Sequence, residues 1–306
     1  MTTADLAVTP TGTPGTAGPT GPGGPTGRAA RRWARVTTVR HRAFGVDLAA
    51  IVVLLLIVAV AAAAPVLAPH SPVLRSGEAF LPPLSPDHLL GTDALGYDIL
   101  SRLLYGMRSS LLAAAVVIAS GVLVGGLVGL LAGALPGWVD TLLMRTTDLF
   151  LALPGLVIAM AVAAALGASF TSALIGVAVV WWPLYARLVR GEVRAWAARP
   201  HLEAARLAGT PWGARVTRHL LPGVRSTIVV AASLDVGGLV VALSGLSFIG
   251  LSSPAPAPEL GAMAAQGMAY LLQAWWVPIF PGLAVLVIAL AANLAGDGVR
   301  DLMRGR

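Results

Sequence analysis

Hydrophobic residues fall in six long stretches along the chain: Val46–Leu67, Ser109–Leu135, Leu149–Gly167, Ser172–Val189, Ser226–Leu251 and Ala274–Ala295. About 20 apolar residues in a helix cover the roughly 30 Å hydrocarbon core of a bilayer. The pattern therefore predicts an all-α integral membrane protein with six transmembrane helices. The third and fourth runs are short and are interrupted by Pro154 and Pro183, which membrane helices tolerate where neighbours re-satisfy the backbone. The first run is read as an uncleaved span, although Ala61–Ala64 offers small residues of the cleavage-site type. It is longer than a usual signal-peptide core and sits far from Met1.

The polar segments between the runs set the domain boundaries. Residues 1–27 are rich in Thr, Pro and Gly, which predicts a disordered tail. Residues 28–45 form a basic juxtamembrane segment carrying Arg28, Arg31, Arg32, Arg35, Arg40 and Arg42. A six-span domain follows over 46–306, with its core at about 100–306. With six spans both termini share a side. That side also carries Arg145, the set from Arg190 to Arg225, and Arg300, Arg304 and Arg306. The other side holds Arg75, Arg102 and Arg108 together with Glu78, Asp87, Asp93 and Asp98. Arginine bias toward the cytoplasm then predicts that both termini are cytoplasmic.

Composition narrows the function classes. Charged residues make up 11% of the chain, against about a quarter in soluble domains, and the mean hydropathy is +0.81. All 21 cationic side chains are arginine. Without lysine there is no P-loop and no Schiff-base chemistry, so any ATP that drives this chain is hydrolysed by another polypeptide. The absence of cysteine excludes disulfides and thiolate metal sites. The basic pI suits positive-inside topology rather than nucleic acid. His41, His70, His88, His201 and His219 lie outside the runs and lack metal-ligand spacing of the HExxH kind, so no metal site is expected. Ser109-Ser110 and Ser252-Ser253 have no His–carboxylate arrangement near them, so no catalytic residues are expected either.

Four features inside or beside the spans stand out. Gly121, Gly125, Gly129 and Gly133 recur every four residues on one helix face, where a second backbone can approach closely. That face suits packing within the chain or a seam with a second subunit. Asp235 lies about ten residues into the fifth run. A carboxylate there suits a translocation path, or a hydrogen bond to a neighbouring helix. Asp140 and Asp148 bracket a short loop with Arg145, which suggests a helix-end salt bridge. The fourth feature is the long basic loop, about 191–224. Pro200 fits a first helical position, Gly209 a position just past a helix end, Thr210 an N-cap and Pro211 the next helical start. The loop is thus expected to hold two short helices broken at Gly209, too short to be stable unless docked.

Glu203-Ala204-Ala205, Gly209 and Leu221-Pro222 resemble the EAA loop of bacterial ABC importer permeases. Further stretches are similar to the C-type permeases of the dipeptide, oligopeptide and nickel family. They are Gly91-Thr-Asp93, Gly96-Tyr-Asp98, Leu100-Ser-Arg102, Tyr105-Gly106, Tyr185-Ala-Arg187, Arg190-Gly-Glu192, Arg218-His219, Trp275-Trp276, Pro281-Gly282, Asn293 and Gly296-Asp-Gly-Val-Arg-Asp301. The chain departs from that pattern at His201, Gly223 and Leu260, where an aromatic, an asparagine and a tryptophan are common, and in its last five residues. The resemblance implies a type I importer permease of the bacterial inner membrane. Its partners would be a homologous second permease, two nucleotide-binding subunits that use ATP and Mg, and an extracytoplasmic solute-binding protein. It implies no cofactor for this chain. It also implies that an EAA helix built on Leu202, Glu203, Ala204, Ala205, Leu207, Ala208 and Gly209 fits a groove on the ATPase subunit. Glu203 could pair with Arg206 or with a cation of the partner. Di- or oligopeptides are the substrate class it suggests, with nickel chelates and other small solutes in the same family. A stand-alone secondary transporter or channel would instead show inverted repeats and more intramembrane charge, and a lipid enzyme would need clustered interfacial His, Asp or Glu.

Overall fold

A computed structural model describes residues 48–252 and 256–304, the side chains of Arg206, Trp212 and Arg304 excepted. The segments 1–27 and 28–45, expected to be a disordered tail and a basic stretch, lie outside the described residues. Regular structure among the described residues is helical apart from two isolated bridges, Ser85 with His88 and Thr92 with Asp98.

Helix α1, Leu48–Ala62, is followed by the single turn α2, Ala64–Leu67. A long non-helical segment then leads to α3, Ile99–Ala134. Asp98 caps α3 by accepting from the Ser101 backbone N–H, which satisfies one of the orphan donors of the first turn. The helix stops at Leu135, the residue before Pro136, where the proline ring disfavours helical backbone. Helix α4, Trp138–Ala152, and α5, Gly155–Leu166, meet at 86°. Helix α6 runs over Phe170–Ala197 and α7 over Pro200–Leu207. The short α8, Trp212–Arg215, continues through a widened π-turn, Val216–Leu220, into α9, Leu221–Phe248. Helix α10, Leu260–Gly267, and α11, Trp276–Arg304, complete the chain.

Six spans were expected; the described residues hold four, or five with one bent pair. Four helical stretches are long and apolar enough to cross a membrane: Ile99–Ala134, Phe170–Ala197, Gly213–Phe248 and Trp276–Met303. The third run is not one rod. Leu153 is extended ahead of Pro154, so the chain breaks there and α4 and α5 form a bent pair, a fifth candidate span. Helix α1 is described over 15 residues, fewer than a full crossing needs.

Small residues dictate how these helices pack. Helix α3 lies along α6 and α9 along α11; at the second contact Gly237 faces Ala289 and Asn293, and Gly296 faces Leu234. The interior they enclose includes the fully buried Val117, Val177, Leu239, Leu246, Leu260 and Ile288. Leu55, Leu112, Leu123, Leu156 and Leu286 are more than half exposed on the outside. In water such a surface would be a large apolar patch; in a bilayer it faces its natural solvent.

Candidate functional site

The loop between α6 and α9 forms a docked, outward-presenting element. Helix α7 starts at Pro200, whose missing N–H costs nothing at a first helical position. It ends at Leu207, and Gly209 just beyond has a φ of +75°, the left-handed conformation that glycine adopts without a Cβ penalty. The Thr210 N–H closes the turn on the Ala205 carbonyl at 3.1 Å, satisfying a helix-end acceptor. Thr210 was expected to cap the next helix. Instead the Pro211 carbonyl accepts from the Arg215 N–H at 3.1 Å, so the cap position falls one residue later. The two short helices expected on either side of Gly209 do form, as α7 and α8, but the second is not separate and runs on into α9. The Leu221 N–H reaches back to Val216 across the π-turn, and Pro222, which has no N–H to give, is seated in the first turn of α9.

The seven candidate residues of this element divide into two sets. Leu202 is buried with Val189, Val193, Val216, Leu220 and Val224, so it bolts α7 to α6 and α9 rather than pointing outward. Glu203, Ala204, Leu207, Ala208 and Gly209 are exposed and Ala205 is half-buried. Leu207 is 84% exposed, an apolar side chain left uncovered at the tip of the element. Glu203 also borders a hollow of about 400 Å³ under the helix, together with Arg215, Gly133 and Pro136. The side chain of Arg206, its possible local partner, lies outside the described residues.

Beneath this element, ionic contacts fix α4 to α6. Asp140 accepts from both Nε and Nη2 of Arg190 and from Nη2 of Arg194, and Asp148 accepts from Arg187 at 2.6 Å. Arg145, the partner expected for the two carboxylates, takes part in neither contact. Helix α4 turns Asp140 and Asp148 toward α6, whose arginines recur at positions 187, 190 and 194 on the facing stripe.

The glycine face of α3 meets α6 directly. Gly121 rests against the Tyr185 ring, Gly125 against Trp182 and Tyr185, Gly129 against Ala186 and Val189, and Gly133 against Val193. At Gly133 an added Cβ would stand 2.7 Å from Val193 Cβ, closer than carbon atoms pack. Asp235 accepts a hydrogen bond of 3.0 Å from the Trp181 indole N–H, linking α9 to α6. Its carboxylate thus has a partner on a neighbouring helix.

At the other end of the bundle, residues 68–98 fold against α3 and α11. The Thr92 hydroxyl donates to Glu78 and accepts from the Leu81 N–H, and the Trp276 indole donates to the Thr92 carbonyl at 3.3 Å. Asp93 accepts from the Leu95 and Tyr97 N–H groups and sits 3.6 Å from Arg102 Nε. Arg102 in turn donates to the Pro72 and Pro256 carbonyls. Gly91-Thr-Asp93 therefore builds a folded loop. Glu259 caps α10 through the Ala262 N–H at 2.8 Å. Burial pushes its carboxyl above the usual carboxylate range, partly offset by hydrogen bonds from Ala262, Ser247 and Gly261.

Comparison with known proteins places this geometry. Residues 125–306 match the family described as "Binding-protein-dependent transport system inner membrane component". The probable D,D-dipeptide transport system permease protein DdpC of Escherichia coli K12 is 41% identical over 78% of this chain and 80% of its own. The glutathione transport system permease protein GsiD of Pectobacterium atrosepticum is 41% identical over 72% of this chain and 73% of its own. The di/tripeptide transport system permease protein DppC of Pseudomonas aeruginosa is 39% identical over 78% and 81%. Among solved structures, the inward-facing MetNI methionine ABC transporter superposes with a TM-score of 0.53 at 20% identity, over 68% of this chain and 97% of that one. An amino acid ABC transporter gives 0.53 at 16% identity, over 68% and 95%. Those two establish the fold alone. An apolar helical bundle, a chain without P-loop lysine, and matches over most of its length lead to one conclusion: this chain belongs to the binding-protein-dependent transport system inner membrane component family, as a non-catalytic permease of an ABC transporter.

Proposed function

We propose that this permease imports short peptides through a type I, six-span pathway driven by ATPase subunits that grip α7. One observation carries the reading. Helix α7 is anchored by Leu202 yet leaves Glu203, Leu207 and Ala208 open to a partner, and Gly209 turns the chain away at its end. A lever of this kind transmits motion because its root is packed into α6 and α9 while its tip is free. The ATPase subunits use ATP and Mg, and this chain needs no cofactor. A homologous second permease completes the pathway, and an extracytoplasmic binding protein delivers the substrate. The substrate class rests on the relatives named for D,D-dipeptides, glutathione and di/tripeptides.

Two predictions test this. Gly209→Pro fixes φ near −65° where +75° is needed, and Glu203→Arg reverses the exposed charge. Either variant is expected to abolish uptake of a labelled dipeptide by cells while leaving membrane insertion intact. Full uptake by both would overturn the lever. The inward orientation of α7, with both termini cytoplasmic, predicts that alkaline phosphatase fused after Val224 is inactive and fused after Leu251 is active. The reverse pattern would invert the topology.

A further inference from the structure

Within the 68–98 segment, three side chains from separate parts of the chain converge. His70 follows α2, His88 lies in the middle of the segment and Asp98 caps α3. The Asp98 carboxyl is fully buried and His88 nearly so. His88 Nδ1 stands 3.0 Å from Asp98 Oδ1, and His70 Nδ1 stands 4.0 Å from Asp98 Oδ2. The two imidazole rings stack with centroids 4.8 Å apart. One ligand atom from each of the three residues falls within 4.8 Å of the others.

A hydrogen bond from His88 to Asp98 accounts for two of these groups but leaves the third unexplained. His70 Nδ1 is shut off from solvent and has no hydrogen-bond partner among the described residues. A buried polar nitrogen of this kind is costly unless something fills its lone pair. We propose that His70, His88 and Asp98 form a binding site for one divalent transition-metal ion of the zinc type.

Two imidazoles and a carboxylate are a donor set that suits zinc. Bonds of about 2.0–2.2 Å place neighbouring ligands of a tetrahedral ion roughly 3.3–3.6 Å apart; His88 Nδ1 and Asp98 Oδ1 are 3.0 Å apart, His70 Nδ1 is 4.0 Å from the other oxygen, Oδ2, and the three ligand atoms lie within 4.8 Å of one another, so His70 closes inward on binding. Oδ2 of Asp98 is already held by the Ser101 N–H at 2.8 Å and the Ser101 hydroxyl at 2.7 Å. Those bonds orient the carboxylate in the way that outer partners orient metal ligands. Oδ1 contacts only His88 among the described residues. The His70 side chain is 26% exposed overall, which places the site near the surface, and water would supply the fourth ligand. Arg102, one turn into α3, is drawn toward Asp93 and the Pro72 and Pro256 carbonyls. Occupied, the site ties the end of α2, the middle of the loop and the start of α3 together.

The test uses the full chain purified in detergent, stripped with EDTA and titrated with zinc by calorimetry. His70→Gln is the informative variant, because it removes the unpartnered nitrogen and keeps the His88–Asp98 bond. One zinc per chain is expected for the unaltered protein, with affinity falling at least tenfold in His70→Gln and unchanged in His219→Gln. Zinc should also raise the thermal midpoint of the unaltered chain and not that of His70→Gln. Cobalt(II) in place of zinc should give visible absorption of a four- or five-coordinate ion. Equal zinc affinity in the unaltered chain and His70→Gln, or no binding by the folded unaltered chain, would overturn the site.

Discussion

Gly125 and Gly126 are neighbours in sequence with opposite surroundings. A Cβ on Gly125 would run into the Trp182 carbonyl and the Tyr185 Cβ of α6, whereas one on Gly126 would meet nothing within 4 Å. Valine at position 125 must therefore push α3 and α6 apart, and overpacking of this kind costs about 1–3 kcal/mol. Gly125→Val is expected to lower the thermal midpoint of the purified chain by several degrees, and Gly126→Val to leave it within error. Equal effects would mean that the stripe is not packed against α6. The same residue-level reading explains a departure from the family pattern. Gly223 lies under the Trp196 ring, where an added Cβ would stand 2.5 Å from the indole. An asparagine there would collide with that tryptophan. Likewise Leu260 is fully buried with its side chain against Gly106.

Among the elements, α4 is joined to α6 by charge as well as by apolar contact, Met144 packing with Ala186 and Phe150 edge-on to Trp182. Asp140 is 7% exposed and accepts three guanidinium hydrogen bonds, while the Asp148–Arg187 pair is more than half exposed on both sides. Exposed pairs contribute about 0–1 kcal/mol, and removing one partner of a buried network costs more. Asp140→Asn is thus expected to destabilise the solubilised chain measurably, and Asp148→Asn to shift it by no more than about 0.5 kcal/mol. The opposite ranking in thermal unfolding would contradict the assignment. Element types were largely readable from hydropathy, because lipid demands long apolar helices and Pro200 and Gly209 mark the ends of α7. Joints were harder. Leu153-Pro154 bends a span by 86°, and the π-turn at Val216–Leu220 fuses a loop helix to α9; neither angle nor helical continuity has a hydropathy signature. Burial of Leu202 was hidden for a related reason. Its partners Val189, Val193 and Val224 come from two different helices, and helix pairing is not written in a single run. His70, His88 and Asp98 converge only through the path of the loop, so spacing in sequence does not betray them.

In the molecule as a whole, α7 and the folded 68–98 segment lie at opposite ends of one bundle. Tight small-residue seams hold α3 on α6 and α9 on α11, the packing through which a push on α7 would reach the spans if α7 couples as proposed. The lack of cysteine makes the central claim directly measurable, because a single introduced thiol is unique in the chain. The measurement places Cys at Leu207, 84% exposed, and for comparison at Leu202, 6% exposed, in membranes that hold the native partners. A thiol-directed cross-linker is applied, and the products are identified by mass spectrometry. Leu207→Cys is predicted to join this chain to a P-loop ATPase subunit, and Leu202→Cys to give no such product. Absence of any ATPase cross-link at 207, while a control ABC complex in the same membranes stays assembled, would contradict the claim that α7 is the point of coupling.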